Sequence, residues 1–121
     1  MPWYCAHAIL YVKFKDGKQD TFPVWENVYL IDAVDSEEAL AKAVLIAASA
    51  EGDSSGTFTW NERPAEWVFA GIRKILSVSH VGEEGKLASG DELTYSELTA
   101  PDLPALQRLV EGEAVNVEYT E

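Results

Sequence analysis

The chain has 121 residues, 47% of them hydrophobic, and sets nine Lys and Arg against 21 Asp and Glu for a formal net charge of −12. That length suits one domain over residues 1–121 with a single core, and a field of that sign repels phosphate backbones and anionic lipid headgroups, so neither nucleic acid nor a membrane is an expected partner. The lone cysteine, Cys5, excludes an internal disulfide; no stretch nears the about 20 apolar residues of a membrane span, the N-terminus reads as a strand, and a cytoplasmic location is the expectation.

From Trp3 to Phe14 every even position is apolar (Tyr4, Ala6, Ala8, Leu10, Val12, Phe14), the period of a strand. "KDGKQ" supplies an Asp-Gly turn and "TFPVWENVYLIDAV" a returning strand, with Pro23 near its start where a missing donor is tolerated. If that turn closes an even-length loop, paired residue numbers sum to 33, which places His7 opposite Glu26 and Cys5 opposite Val28. Asp35, followed three residues later by Glu38, forms a capping box and opens a helix running to about Ala50. Its central apolar stripe is predicted as Leu40, Ala43, Val44 and Ala47.

"EGDSSGTFTWNERP" is a loop by its Gly, Ser and Pro content, with a short extended piece within Thr57 to Trp60. A third strand is predicted from Glu66 to about Val81, where the alternation slips after Gly71 and implies a bulge. "HVGEEGKLASGD" reads as turns and "ELTYSEL" as a fourth strand. Asp102 then caps a short helix, "LPALQRLVEG", with Pro104 in its first turn and Gly112 as its stop, before an edge strand "AVNVEY". The order ββαββαβ gives an α+β fold: a mainly antiparallel sheet of four or five strands with one long and one short helix.

Four stretches together, the opening "WY", "VYLIDAVDSEEALAKA", "EWVFAGIRKILSV" and "GDELTYSEL", resemble the small bacterial family of unknown function DUF4288. Its members open Trp-Tyr, place Glu-Glu-Ala after a strand and carry a Trp-x-Phe-x-Gly-Ile segment. The resemblance covers about residues 3 to 98 and implies the fold; it carries no activity, cofactor or catalytic residue. The chain departs from the family in the apolar second half of the helix, "VLIAASAEGDSS", and in "FTWNE", and the helix and strand from about Thr99 to Glu121 lie outside the resemblance.

Three constellations could carry chemistry. A carboxylate at Glu26 facing His7 would orient and charge an imidazole as a general base requires, with Cys5 two residues away as a thiolate; the competing reading is a cross-strand polar pair beside an inert buried thiol. Because no oxyanion-stabilising glycine loop accompanies the pair, no catalytic residue is assigned, and His7, Glu26 and Cys5 remain the basis of an alternative only. Zinc would need His7, His80, Cys5 and Glu26, which lack any close-spaced pair, so neither metal nor cofactor is expected. Trp3, Trp25 and Trp67 fit strand cores, whereas Trp60, in a loop, is the candidate ligand contact.

Both faces of the sheet are apolar, and one helix covers only one of them. On the helix itself, at about 100° per residue, Leu45 falls about 140° and Ile46 about 240° from Leu40, flanking the strip of Lys42 and Ser49, where no core awaits them. The expected function is therefore a non-catalytic protein-interaction module whose partner is a second copy of itself through Leu45 and Ile46. Two readings compete with it. One is a small-molecule-binding or hydrolytic domain built on His7, Glu26 and Cys5; the other lets the C-terminal segment cover the helix.

Overall fold

A computed structural model describes residues 2–78 and 86–120. The elements are β1 (Trp3–Phe14), β2 (Val24–Asp32), α1 (Ser36–Ala48), β3 (Thr59–Trp60), β4 (Arg63–Ser77), β5 (Glu97–Thr99), α2 (Leu103–Glu111) and β6 (Glu118–Thr120). The fold is α+β in the expected order ββαββαβ with the two-residue β3 added before β4, and it forms an antiparallel four-stranded sheet, β2-β1-β4-β3, and a separate antiparallel ribbon of β5 and β6.

β1 lies between β2 and β4, which explains why it is apolar on both sides. Its even positions Ala6, Ala8, Leu10 and Val12 are buried, and so are Cys5 and His7 on the other face. The hairpin register differs from the expected one: His7 pairs with Val28, Ile9 with Glu26 and Cys5 with Leu30, so that paired numbers sum to 35. The Asp-Gly turn does not close the hairpin. Pro23 has no N–H to give but accepts at its carbonyl from Val12 N at 3.0 Å, and the Gln19 side chain takes the next rungs by donating to Val12 O and accepting from Phe14 N. A slip of two preserves the faces, because side chains repeat every second residue.

Two register shifts interrupt the β1–β4 ladder. Pairing jumps from Lys74 to Ile72 and from Gly71 to Phe69, so the register skips Arg73 and Ala70 and the strand bulges on either side of Gly71, where the lost alternation predicted it. β4 starts at Arg63, three residues early, because β3 pairs with its first residues. The strand's expected end at Val81 and the first half of the following turn region lie outside the described residues. The fourth strand contracts to Glu97–Thr99 and the last to Glu118–Thr120, and these pair with each other instead of extending the main sheet.

α1 begins as expected, with Asp35 Oδ1 accepting from Glu38 N at 2.8 Å and Glu38 Oε1 reaching back to Val34 N. It stops at Ala48, where Ser49 turns its hydroxyl onto Ile46 O. The buried edge is not the expected stripe. Ala39, Ala43 and Ala47 face the sheet, while Leu40 and Val44 are exposed. The sheet supplies the bulk here, with Tyr29, Trp67, Phe69, Ile72 and Ile75 packed around the alanines, so the small side chains let the helix sit close. Lys42 folds back to donate to Asp32 O at 2.7 Å and pairs with Glu38.

α2 keeps its predicted caps, Asp102 accepting from Ala105 N at 2.8 Å and Gly112 in the left-handed region at φ 77°. It buries Ala105 and leaves Leu103, Leu106 and Val110 exposed. The C-terminal segment meets the sheet on the face opposite α1, where Lys74 donates to Tyr95 O at 2.6 Å and the Arg73 guanidinium lies 4.0 Å above the Tyr119 ring. Leu45 and Ile46 therefore stand clear of it, at 74% and 40% exposure.

Candidate functional site

On the face of the sheet away from α1, polar side chains converge at His7. Glu26 and His7 are diagonal, not opposite, across β1 and β2, and the diagonal is within reach of a long side chain: His7 Nδ1 lies 2.6 Å from Glu26 Oε2. The bulge at Arg73 turns that side chain toward the same oxygen, with Nη2 donating to Glu26 Oε2 at 2.8 Å and also to Tyr119 Oη. Thr94 Oγ1 closes the other side of the ring against His7 Nε2. Tyr119 in turn donates to Ser96 Oγ at 2.7 Å. One carboxylate, one imidazole and one guanidinium thus pin the C-terminal ribbon to the sheet.

An ionised carboxylate only accepts, so Nδ1 carries the proton toward Glu26, and Nε2 faces the Thr94 hydroxyl, which can serve as donor or acceptor. Desolvation pushes the Glu26 carboxyl up, but the hydrogen bonds from Arg73 and His7 outweigh it and hold the group below the usual carboxylate range. His7 itself is 2% exposed. Cys5, on the same face and opposite Leu30 and Leu76, is buried, and burial pushes its thiol up, away from the thiolate that nucleophilic chemistry needs.

Hydroxyl, imidazole and carboxylate follow one another as nucleophile, base and orienting acid do in a hydrolase. Thr94, Glu26 and Arg73 are nevertheless engaged with one another or with His7, where acyl transfer also requires donors aimed at a developing oxyanion. The arrangement suits a structural clasp. Sequence reasoning brought His7 and Glu26 together but missed Arg73, Thr94 and Tyr119. The slip at Gly71 was the available signal for Arg73, since a bulge re-aims a neighbouring side chain; Thr94 and Tyr119 arrive through pairing of two three-residue strands, which no local pattern encodes.

Trp60 sits in β3 and packs into an aromatic cluster on the α1 face. Its ring is 5.7 Å from Trp25 and 6.2 Å from Trp67, Trp25 and Trp67 are 5.5 Å apart, and all three pairs are edge-to-face. Phe58 stacks on Trp67 at 5.8 Å. Among the described residues no group of three or more His, Cys, Asp or Glu is placed to hold a metal ion, and His80 lies outside them. Among the same residues no helix is long and apolar enough to cross a membrane.

No curated protein and no solved structure matches the chain. A family model matches residues 3–94, which span β1 to β4, the helix α1 and Thr94 of the clasp, and the chain therefore belongs to DUF4288, a family of unknown function.

Proposed function

We propose that this chain is a non-catalytic protein-interaction module and that its first partner is a second copy of itself, met through the outer side of α1. The observation that carries this reading is Leu45, which is three-quarters exposed in a stripe formed with Leu40, Ala41, Val44 and Ala48, whose one charge, Glu37, is confined to the first turn. On a chain of net charge −12, copies repel unless they meet where no carboxylate is desolvated, and α1 keeps Glu37 and Glu38 in its first turn and folds Lys42 back onto β2. Alanines at 41 and 48 let two such helices approach closely. Each fully buried Leu or Val contributes about 1.5–3 kcal/mol, and a two-fold contact uses every residue twice. Ile46 lies beyond Leu45 on the other flank of the helix and is the rim of this contact.

Sedimentation velocity tests the reading. Wild type should pass from monomer to dimer with rising concentration, and Leu45→Glu should remain monomeric with unchanged melting, because a carboxylate cannot be buried there unpaired. Ile46→Glu should weaken the dimer less. A wild type that stays monomeric up to the highest soluble concentration removes the proposal and leaves Leu45 as an ordinary exposed apolar residue.

A further inference from the structure

We propose that the cavity at the C-terminal end of α1 is a binding site for a small organic cation of the quaternary-ammonium class. The cavity, about 170 Å³, is lined by Leu10, Trp25, Asn27, Ala50 and Trp67. It is smaller than the roughly 300–1,000 Å³ of pockets that enclose drug-sized ligands, so its size suits a headgroup more than a whole metabolite.

The aromatic walls, the helix end and the surrounding carboxylates give it the same sign preference. Trp25 and Trp67 stand at 76° to each other, making a two-walled corner, and the face of an indole is the strongest of the aromatic surfaces for a cation. Trp60 packs at 84° to Trp25 and 79° to Trp67, and Phe58 stacks on Trp67 and takes one of its faces. Ala50 follows the last turn of α1, the negative end of the helix dipole, and that turn contains no basic residue to answer it. Glu51, next in the chain, is fixed by accepting Phe69 N at 2.8 Å, and with Glu66 and Lys13 it lines a neighbouring cavity that shares Trp67. The whole chain adds its excess of carboxylates. An anion finds among these lining side chains only the Asn27 amide and the two indole N–H groups as donors, with no cation beside them, and a purely apolar ligand gains nothing from the field. A cation that is weakly hydrated and carries methyl groups gains from both walls and from the field, whereas a compact ammonium is too strongly hydrated to leave water for them.

Choline and its neutral isostere 3,3-dimethylbutan-1-ol separate charge from shape on the wild-type protein. The indole N–H resonances of Trp25 and Trp67 should move with choline and saturate in the millimolar range, and the alcohol should bind about tenfold more weakly, the ratio expected when a cation–π attraction is lost. Trp25 is 49% exposed, so Trp25→Leu should retain the fold by melting while choline binding falls about tenfold or more; Trp25→Phe should lie between. Equal binding of choline and the alcohol would overturn the proposal and reduce the cavity to an apolar recess. So would choline binding that Trp25→Leu leaves intact, or indole resonances that do not move up to roughly 100 mM choline.

Discussion

The two faces of the central sheet are closed by opposite means. Toward α1, a row of three alanines lies against large sheet residues, so closure rests on shape and excluded water, with Lys42 and Glu51 bonding to the sheet backbone only at the margins. Toward the C-terminal ribbon, closure rests on one carboxylate shared by an imidazole and a guanidinium, with Thr94, Tyr119 and the bond from Lys74 to Tyr95 O beside it. The apolar face is filled along its alanine edge, where Ala39, Ala43 and Ala47 are fully buried; the polar face is directional and leaves Val24, Val28 and Leu30 of the edge strand exposed beside it. A protein needing only stability could close both faces with apolar side chains at no loss. The clasp instead determines where the ribbon docks.

The sharpest way to break this contrast is to enlarge the alanine edge. Ala43 is fully buried at the centre of the helix contact, so Ala43→Leu must push α1 off Tyr29 and Ile72 and should destabilise by about 1–3 kcal/mol. Thermal or urea unfolding reads this directly. Ala41→Leu, on the outer side of the same helix, should cost nothing measurable to the monomer.

That outcome bears on what could be read from the residues alone. Strand period, caps and the bulge at Gly71 are local signals, and they located the elements except for the end of α1, the start of β4 and the extents of β5 and β6. Which stripe of α1 faces inward was not legible, because a helix apolar nearly all round has no single preferred side, and the bulk of Tyr29 and Phe69 decided for the alanines. The hairpin register was missed by two because Gln19 substituted side-chain bonds for the backbone rungs of a tight turn. His7 and Glu26 still met, since an error of two keeps both on one face.

On the polar face the corresponding change is Glu26→Gln, which removes the charge that His7 and Arg73 share and should cost about 1–2 kcal/mol at neutral pH. Its pH dependence has a definite sign. Glu26 is held below the usual carboxylate range when folded, so its contribution is complete above the unfolded value and is lost as pH falls through the lowered folded one. The stability gap between wild type and Glu26→Gln should therefore close progressively in acid, whereas the gap for Ala43→Leu should stay constant. Urea midpoints at a series of pH values check both, and a gap for Glu26→Gln that does not vary with pH would mean the carboxylate acts only by its shape.

The smallest perturbation alters no residue and addresses the rival reading of this face as a hydrolytic site around His7, Glu26 and Cys5. A nucleophilic cysteine needs a thiolate near neutral pH and access for its substrate. Cys5 is 2% exposed, its thiol is raised by burial, and its strand neighbours across the ladder are Leu30 and Leu76. Iodoacetamide should therefore label the native protein at least about a hundredfold more slowly than the denatured chain, at a rate set by opening of the sheet and rising with urea. The clasp enters through the same opening: Glu26→Gln, by loosening the ribbon, should speed labelling at pH 7 in proportion to the stability it removes, and Ala43→Leu should do so to the extent that it destabilises the whole sheet. Rapid labelling of the native wild type, with a pH midpoint below that of an ordinary thiol, would instead mark Cys5 as activated and return the His7 node to catalysis.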